Sequence, residues 1–339
     1  MHRRTVLGAA LAAPSLLPRI GYAAELDEAA AKKEGEVTWY TTHYPAELAQ
    51  RAADAFTKAN GIKVNVIRTT AGVAYERLQQ EYRVKSVNCD VFSSTDIGQY
   101  LRLKKAKRLA VVNPPNATAI FDSFQNYDPA HMYYPTSYGL IGICYNTAKV
   151  KAEDVPKTWT GLADAKWTDK VALGHPSFSA YAGTWALQMR RMYGLDYLKA
   201  LAEVNPLVGR SINDTVTMLN SGERVIAAGP TQTTIESILR GNPLEVTYPD
   251  DGSVLIISPS SVLVDAPHPA AARVFLNFLL GPEHSRIQAA AGGLPLVAGI
   301  PTIKRVKLPG EIKTIRPTDE QIEEELPKLK EEWRDIFGA

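Results

Sequence analysis

The stretch Val37-Thr38-Trp39-Tyr40-Thr41-Thr42-His43-Tyr44-Pro45 sets four hydrogen-bonding side chains, Thr41 to Tyr44, between a β-like run and a proline that can open a helix. Three chemistries fit such a set: metal ligation, acid–base catalysis, or a cradle of donors for a bound solute. Metal ligation needs partners at a recognisable spacing. The histidines are His2, His43, His131, His175, His268 and His284, with no HxH or HExxH pattern, and Cys89 and Cys144 are too few and too far apart for a zinc site. Catalysis lacks a nucleophile elbow and a P-loop, and Asp250-Asp251-Gly252 reads as a turn rather than a carboxylate pair. His43 could act as a base, but nothing in the sequence orients it; a surface or capping role is its alternative.

The cradle has more support, because the same composition recurs. Thr69-Thr70-Ala71-Gly72, Ser93-Ser94-Thr95, Ser177-Phe178-Ser179 and Thr231-Gln232-Thr233-Thr234 all follow an apolar run and precede a helical one. Ser and Thr also cap helices whatever the function, so one such loop decides nothing; five of them favour a ligand cleft. The candidate binding residues are Thr41, Thr42, His43, Tyr44, Thr95, Ser177, Ser179, Thr231, Gln232 and Thr233. Tyr138 and Tyr181 are candidate walls for an organic moiety, or else core aromatics.

The elements that position these loops follow from periodicity. Val37–Tyr40, 63–67 and 90–92 read as strands. Helices follow them, beginning at Pro45, near Ala74 and after Asp96. Pro45 suits a first helical turn, and Asn60-Gly61 a stop. A Pro-, Asn- and Tyr-rich segment, 113–137, precedes a strong strand at 140–145. A second α/β series follows: strands at 171–173 and 225–228, and helices near 185–189, near 195–201, after Asn213 to Gly222, and from Gly229-Pro230. Strands at 245–248 and 254–257 flank the Asp250-Asp251-Gly252 turn. Helices then cover 270–280, the segment from Gly281, and a final amphipathic stretch through Ile322, Leu326, Leu329, Trp333 and Ile336, expected to bend at Pro327. The β-α alternation predicts an α/β fold with largely parallel sheets, in which ligands sit at the carboxyl ends of strands, by helix N-termini.

The first residues stand apart. Met1-His2-Arg3-Arg4 is basic, Thr5 to Pro18 is mostly apolar, and Gly21-Tyr22-Ala23 offers small residues for cleavage, so 1–24 reads as a secretory signal. The Arg3-Arg4 pair admits the twin-arginine route as well as the general one. The signal holds three of the 38 bases and no acid, so the mature chain carries 35 bases against 36 acids, a formal charge of −1. No basic patch points to nucleic acid, and no second long apolar span is present. The product is expected in the periplasm, where Cys89 and Cys144 could bridge; their apolar strand-like surroundings favour two separate buried thiols.

Several segments resemble the periplasmic solute-binding proteins of ABC importers, in the branch that takes up ferric iron, thiamine, phosphonates and sugar phosphates. They are Val37-Thr38-Trp39-Tyr40, Asp90-Val91-Phe92, Gly142-Ile143-Cys144-Tyr145-Asn146-Thr147, Pro156-Lys157-Thr158-Trp159-Thr160-Gly161-Leu162, Ser221-Gly222-Glu223, Tyr248-Pro249-Asp250-Asp251-Gly252 and 271–280. Their order and spacing carry the resemblance over nearly the whole mature chain. It implies a two-lobe periplasmic-binding-protein fold of type II: lobe one from 25–130 plus 256–339, lobe two from 131–255, with the ligand cleft between them. It also implies hinge closure, a monomer, and delivery to an ABC permease with its ATPase at the inner membrane. Iron binders of this branch place adjacent tyrosines where this chain has Thr231-Gln232-Thr233-Thr234, and phenolates are hard donors suited to Fe(III). Hydroxyls, an amide, backbone N–H groups and one His suit a small anionic organic solute instead: a phosphonate, phosphate ester or carboxylate. Ferric iron, and a sensor that reports to a membrane receptor, are the alternatives. No cofactor and no enzymatic activity are expected.

Overall fold

The computed structural model describes residues 26–338, so the signal read in 1–24 lies outside the described residues. A short helix α1 (Glu28–Glu34) leads into the first α/β series. It consists of β1 (Glu36–Thr41), α2 (Ala46–Asn60), β2 (Lys63–Arg68), α3 (Ala71–Arg83), β3 (Val91–Ser93) and α4 (Ile97–Lys105). A long strand, β4 (Tyr134–Asn146), crosses to the second series: β5 (Val171–Gly174), α5 (Ala180–Glu203), β6 (Leu207–Gly209), α6 (Asp214–Ser221), β7 (Ile226–Pro230), α7 (Thr231–Leu239) and β8 (Leu244–Thr247). The chain returns through β9 (Ser253–Val262) and closes with α8 (Pro269–Leu279), α9 (Pro282–Ala290), β10 (Thr314–Ile315) and α10 (Asp319–Phe337).

The strand order is β2-β1-β3-β9-β4-β7-β5-β6, with β10 beside β9 and β8 beside β4. β1 pairs in parallel with β2 and β3, and β5 in parallel with β6 and β7. Two antiparallel strands join these parallel groups. The first half of β4 pairs with β9, Tyr134 opposite Ser260 through Ile141 opposite Val254. Its second half pairs with β7, Ile141 opposite Pro230 through Tyr145 opposite Ile226. β4 is therefore shared by both halves of the molecule, and it changes partners at Ile141. Every residue of it is buried, so its backbone donors and acceptors must be met by neighbouring strands.

The larger helices bury apolar faces, as α2 and α8 do. α2 buries Leu48, Ala49, Ala52, Ala53 and Phe56, the i, i+4, i+8 face that its sequence shows. Phe56 and Trp39 pack edge-on against Phe275 of α8, at 4.9 and 5.1 Å between ring centroids. Around Trp159, Trp185 and Trp333 a second core forms between α5, α10 and the sheet, and it continues to Tyr40 and Phe92 of the first series. α10 begins with a capping box in which Thr318 and Gln321 satisfy each other's backbone N–H groups. It continues through Pro327 and spans the two halves: Arg190 and Arg191 of α5 pair with Glu332 and Glu325, while Ile322 and Leu326 face α4 across a shallow groove. The helical run at 180–203 is really two helices, as the sequence suggests, because Gly194 adopts φ 78°, ψ −179° between them, a conformation open to glycine alone. Both cysteines are free and buried.

Candidate functional site

A cleft with about 620 Å³ of empty space, partly open to solvent, lies beside the point where β4 changes partners. Gly139 and Leu140 of β4 form its floor, and loops of both α/β series form its sides. Five helices begin there: Pro45, Ala71, Ala180, Asn213 and Pro230, at or next to the first residues of α2, α3, α5, α6 and α7, all line it. Of the five, only α5 has a side-chain cap, Ser179 Oγ accepting from Ala182 N at 3.4 Å. α2, α3, α6 and α7 have none. The hydroxyls of Thr70 and Thr231 therefore do not cap their helices, and the positive ends of several helix dipoles open on the cleft, with an acidic residue in the first turn of α2 (Glu47) and of α6 (Asp214).

The loop after β1 divides its side chains. Thr41 is buried at the strand end, its Oγ1 accepting weakly from His43 N at 3.4 Å. Thr42 faces the cleft; its Oγ1 accepts from Thr95 N at 3.0 Å, while Thr42 N donates to Ser93 O, lacing the loops after β1 and β3 together. His43 lines the cleft with neither ring nitrogen hydrogen-bonded. Burial is the main cause that holds its pKa down at about 3; the nearby Ser94 carbonyl works against it, His284 adds to it, and the Pro259 carbonyl again opposes it. His43 is thus a neutral imidazole at neutral pH. Tyr44 turns the other way, into the core beside Trp39 and His284, its hydroxyl directed at Thr136 O at 3.4 Å. Pro45 is the N-cap of α2 rather than a residue of its first turn, and its carbonyl accepts from Leu48 N and Ala49 N.

Across the cleft, Thr233 Oγ1 donates to Asn213 Oδ1 at 3.0 Å, which leaves the Asn213 amide protons to other acceptors. Gln232 Nε2 is buried without a partner. The Tyr181 phenol lies over Gly139 so closely that a Cβ there would meet its oxygen at 2.5 Å. Burial raises that phenol to about 12, so it is a protonated donor.

Of the residues expected from sequence, Thr42, His43, Thr95, Ser179, Tyr181, Gln232 and Thr233 line the cleft. Thr41, Tyr44, Ser177, Tyr138 and Thr231 are not among its lining residues. Tyr138 is a core aromatic that donates to Pro295 O at 3.1 Å and packs on Phe124. Thr231 is buried against Gly142. Ser177 is exposed on the far side of its loop, its N–H donated to His175 Nδ1. The last helix, assigned by the expected division to the first lobe, packs on α5 of the second as well as on α4.

The residue that sequence reading passed over is Arg68, the last of β2. Its Nε donates to Tyr44 O at 2.7 Å, which pins the guanidinium at the start of α2. No acid pairs with it among the described residues, and burial lowers its pKa below the ordinary arginine value, though not enough to neutralise a guanidinium. The clue was a lone arginine directly before Thr69-Thr70. Ser211 and Asn213, just ahead of the helix that the sequence places after Asn213, also line the cleft.

The profile of the bacterial extracellular solute-binding protein family matches residues 88–316, about two thirds of the chain and most of the cleft. The chain belongs to that family. As a solute-binding protein it is the capturing component of an ABC importer. A Salmonella typhimurium protein provisionally named as 2-aminoethylphosphonate-binding and periplasmic is 28% identical over 274 residues, covering 78% of this chain and 75% of its own. Iron uptake protein A1 of Synechocystis is 25% identical over 302 residues, 83% of this chain and 81% of its own. Among solved structures, AfuA of Actinobacillus pleuropneumoniae with fructose-6-phosphate superposes with a TM-score of 0.80 at 20% identity, over 90% of this chain and 99% of that one. Iron-bound HitA of Pseudomonas aeruginosa gives 0.76 at 19% identity, over 89% and 99%. These likenesses establish that this solute-binding protein has the two-lobe periplasmic-binding-protein fold expected from its sequence.

Proposed function

We propose that the protein captures a small organic anion, a phosphonate, phosphate ester or carboxylate, and hands it to a membrane permease driven by an ATPase. Arg68 is the observation that carries this reading. It is a partly buried cation with one backbone bond and no counter-ion among the described residues, lining the same cleft on which four helices without side-chain caps open. Such a charge is costly unless something negative meets it, and a bound anion would do so while accepting from Thr42, Asn213 and free backbone N–H groups. The name of the Salmonella relative is consistent with a phosphonate handle.

Ferric iron is less well served. The cleft offers one imidazole, one high-pKa phenol and no carboxylate, and no group of three or more His, Cys, Asp or Glu suited to a metal ion occurs among the described residues. The lobes, 25–130 with 256–339 and 131–255, close by bending where β4 and β9 cross between them. The protein is exported by its N-terminal signal, acts in the periplasm as a monomer, and releases its solute unchanged. Thermal-shift screening of the signal-free protein against phosphonates, phosphate esters, carboxylates and Fe(III) tests the reading. Stabilisation by anions is expected; stabilisation by Fe(III) alone, with a charge-transfer colour, would sink it.

A further inference from the structure

We infer that the solute carries its negative charge without any positive one: an anion whose organic part is neutral and hydroxylated or carbonyl-bearing, not an amino-substituted zwitterion. This rests on the anion reading above and narrows it. The reason is the charge inventory of the cleft. Its lining holds one ionised side chain, Arg68, and no aspartate or glutamate. The two acids that directly follow lining residues in the chain, Asp96 after Thr95 and Asp214 after Asn213, each accept a backbone hydrogen bond from the protein itself. Asp96 Oδ1 caps α4 through Gly98 N at 3.0 Å, and its other oxygen faces Arg102 at 4.0 Å. Asp214 Oδ2 accepts from Ser211 N at 2.8 Å, tucked against Gly209.

An ammonium in this cleft would leave water with no carboxylate to meet it, in the field of a guanidinium and several positive helix ends. Pairing with the solute's own anionic group does not offset that cost, because the same pairing is available in water. Aromatic faces are the other way to hold an ammonium. Besides the His43 imidazole, the rings of Phe178 and Tyr181 line the cleft, and the face of Phe178 already receives the Arg210 guanidinium 5.0 Å from its centroid. That contact adds a second cation at the mouth. Tyr181 is held across Gly139 as a hydroxyl donor and forms no cage alone.

The groups without partners point to a neutral polar moiety. The His43 ring and Gln232 Nε2 have no hydrogen bond, and burial keeps His43 uncharged. A neutral imidazole N–H and an amide N–H donate to hydroxyl, ether or carbonyl oxygen. Neither they nor the Tyr181 phenol supplies the negative charge that an ammonium needs.

The test is titration calorimetry of the signal-free protein with matched pairs that differ only, or chiefly, in amine against hydroxyl. They are hydroxyethylphosphonate with aminoethylphosphonate, glycerol phosphate with ethanolamine phosphate, and lactate with alanine. In every pair that binds, the hydroxylated member is expected to bind at least tenfold more tightly. An aminated member that binds as tightly as its partner, or more so, overturns this inference and leaves the anion reading standing. No binding in any pair overturns both.

Discussion

Replacing Arg68 by glutamine is the sharpest perturbation of the site. A guanidinium and an anionic group about 4 Å apart attract by roughly 4 kcal/mol at an effective dielectric of about 20. Glutamine can return a neutral hydrogen bond worth about 1 kcal/mol. The net loss should therefore be about 2–3 kcal/mol, or roughly 30- to 150-fold in affinity. The empty protein should scarcely notice. It loses the Nε bond to Tyr44 O, worth about 1 kcal/mol, but it also sheds an unpaired, partly buried charge. Arg68→Lys should fall between, since it keeps the charge and loses the fork. Calorimetry with hydroxyethylphosphonate at low and moderate salt reads the affinity, and a thermal melt of the unliganded variant reads the fold. An Arg68→Gln protein that binds within twofold of wild type, with its melt unchanged, would falsify the assignment of Arg68 as the anion anchor.

Other consequences are open to direct measurement. Gly139→Ala should displace the Tyr181 ring, costing about 1–3 kcal/mol of stability and lowering solute affinity; adding Tyr181→Phe removes the 2.5 Å clash with the hydroxyl and should return part of the stability in a double-mutant cycle. His43 and His284 fold with pKa values of about 3 and about 4 against an ordinary 6.5. Above pH 6.5 both states leave them unprotonated. Below it only the unfolded chain takes up the protons, so stability falls as pH drops from 6.5 towards 4 for His284 and towards 3 for His43, at up to about 1.4 kcal/mol per pH unit each. Replacing either by glutamine should flatten the acid limb of a denaturation-versus-pH curve, and an unaltered limb would contradict their burial as neutral rings. His43→Ala should weaken binding of hydroxyethylphosphonate by about five- to tenfold, the scale of one neutral hydrogen bond, with little change in the melt. Both thiols being free and buried, iodoacetamide should leave the native protein unmodified and label both cysteines in denaturant without reductant, as read by mass.

Local pattern settled the elements. The periodicity of Leu48, Ala52 and Phe56 forms the buried face of α2, and the β-α alternation requires loops at the carboxyl ends of strands. The number of hydroxyl-rich loops was legible for the same reason, since each is a short stretch between two patterned runs. Pattern could not say which side chain of a loop faces the cleft. Thr42 and His43 face it while Thr41 and Tyr44 turn to the core, because Trp39 and His284, far apart in the chain, receive Tyr44. Nor could it separate a capping threonine from an idle one. Thr70 stands at the N-cap of α3 and forms no cap bond, and Thr231 is the first residue of α7 behind the N-cap Pro230.

What only the tertiary structure decided is which polar groups are left without partners. Arg68 is one cation among 38 in the sequence; it stands out as the proposed anion anchor because folding takes it partly out of water and, among the described residues, brings no acid to it. Gly139 is an ordinary glycine until Tyr181, from another helix, is laid across it. Backbone preference and apolar spacing act over a few residues and so can be read along the chain. Charge compensation and steric fit depend on groups that meet only after folding.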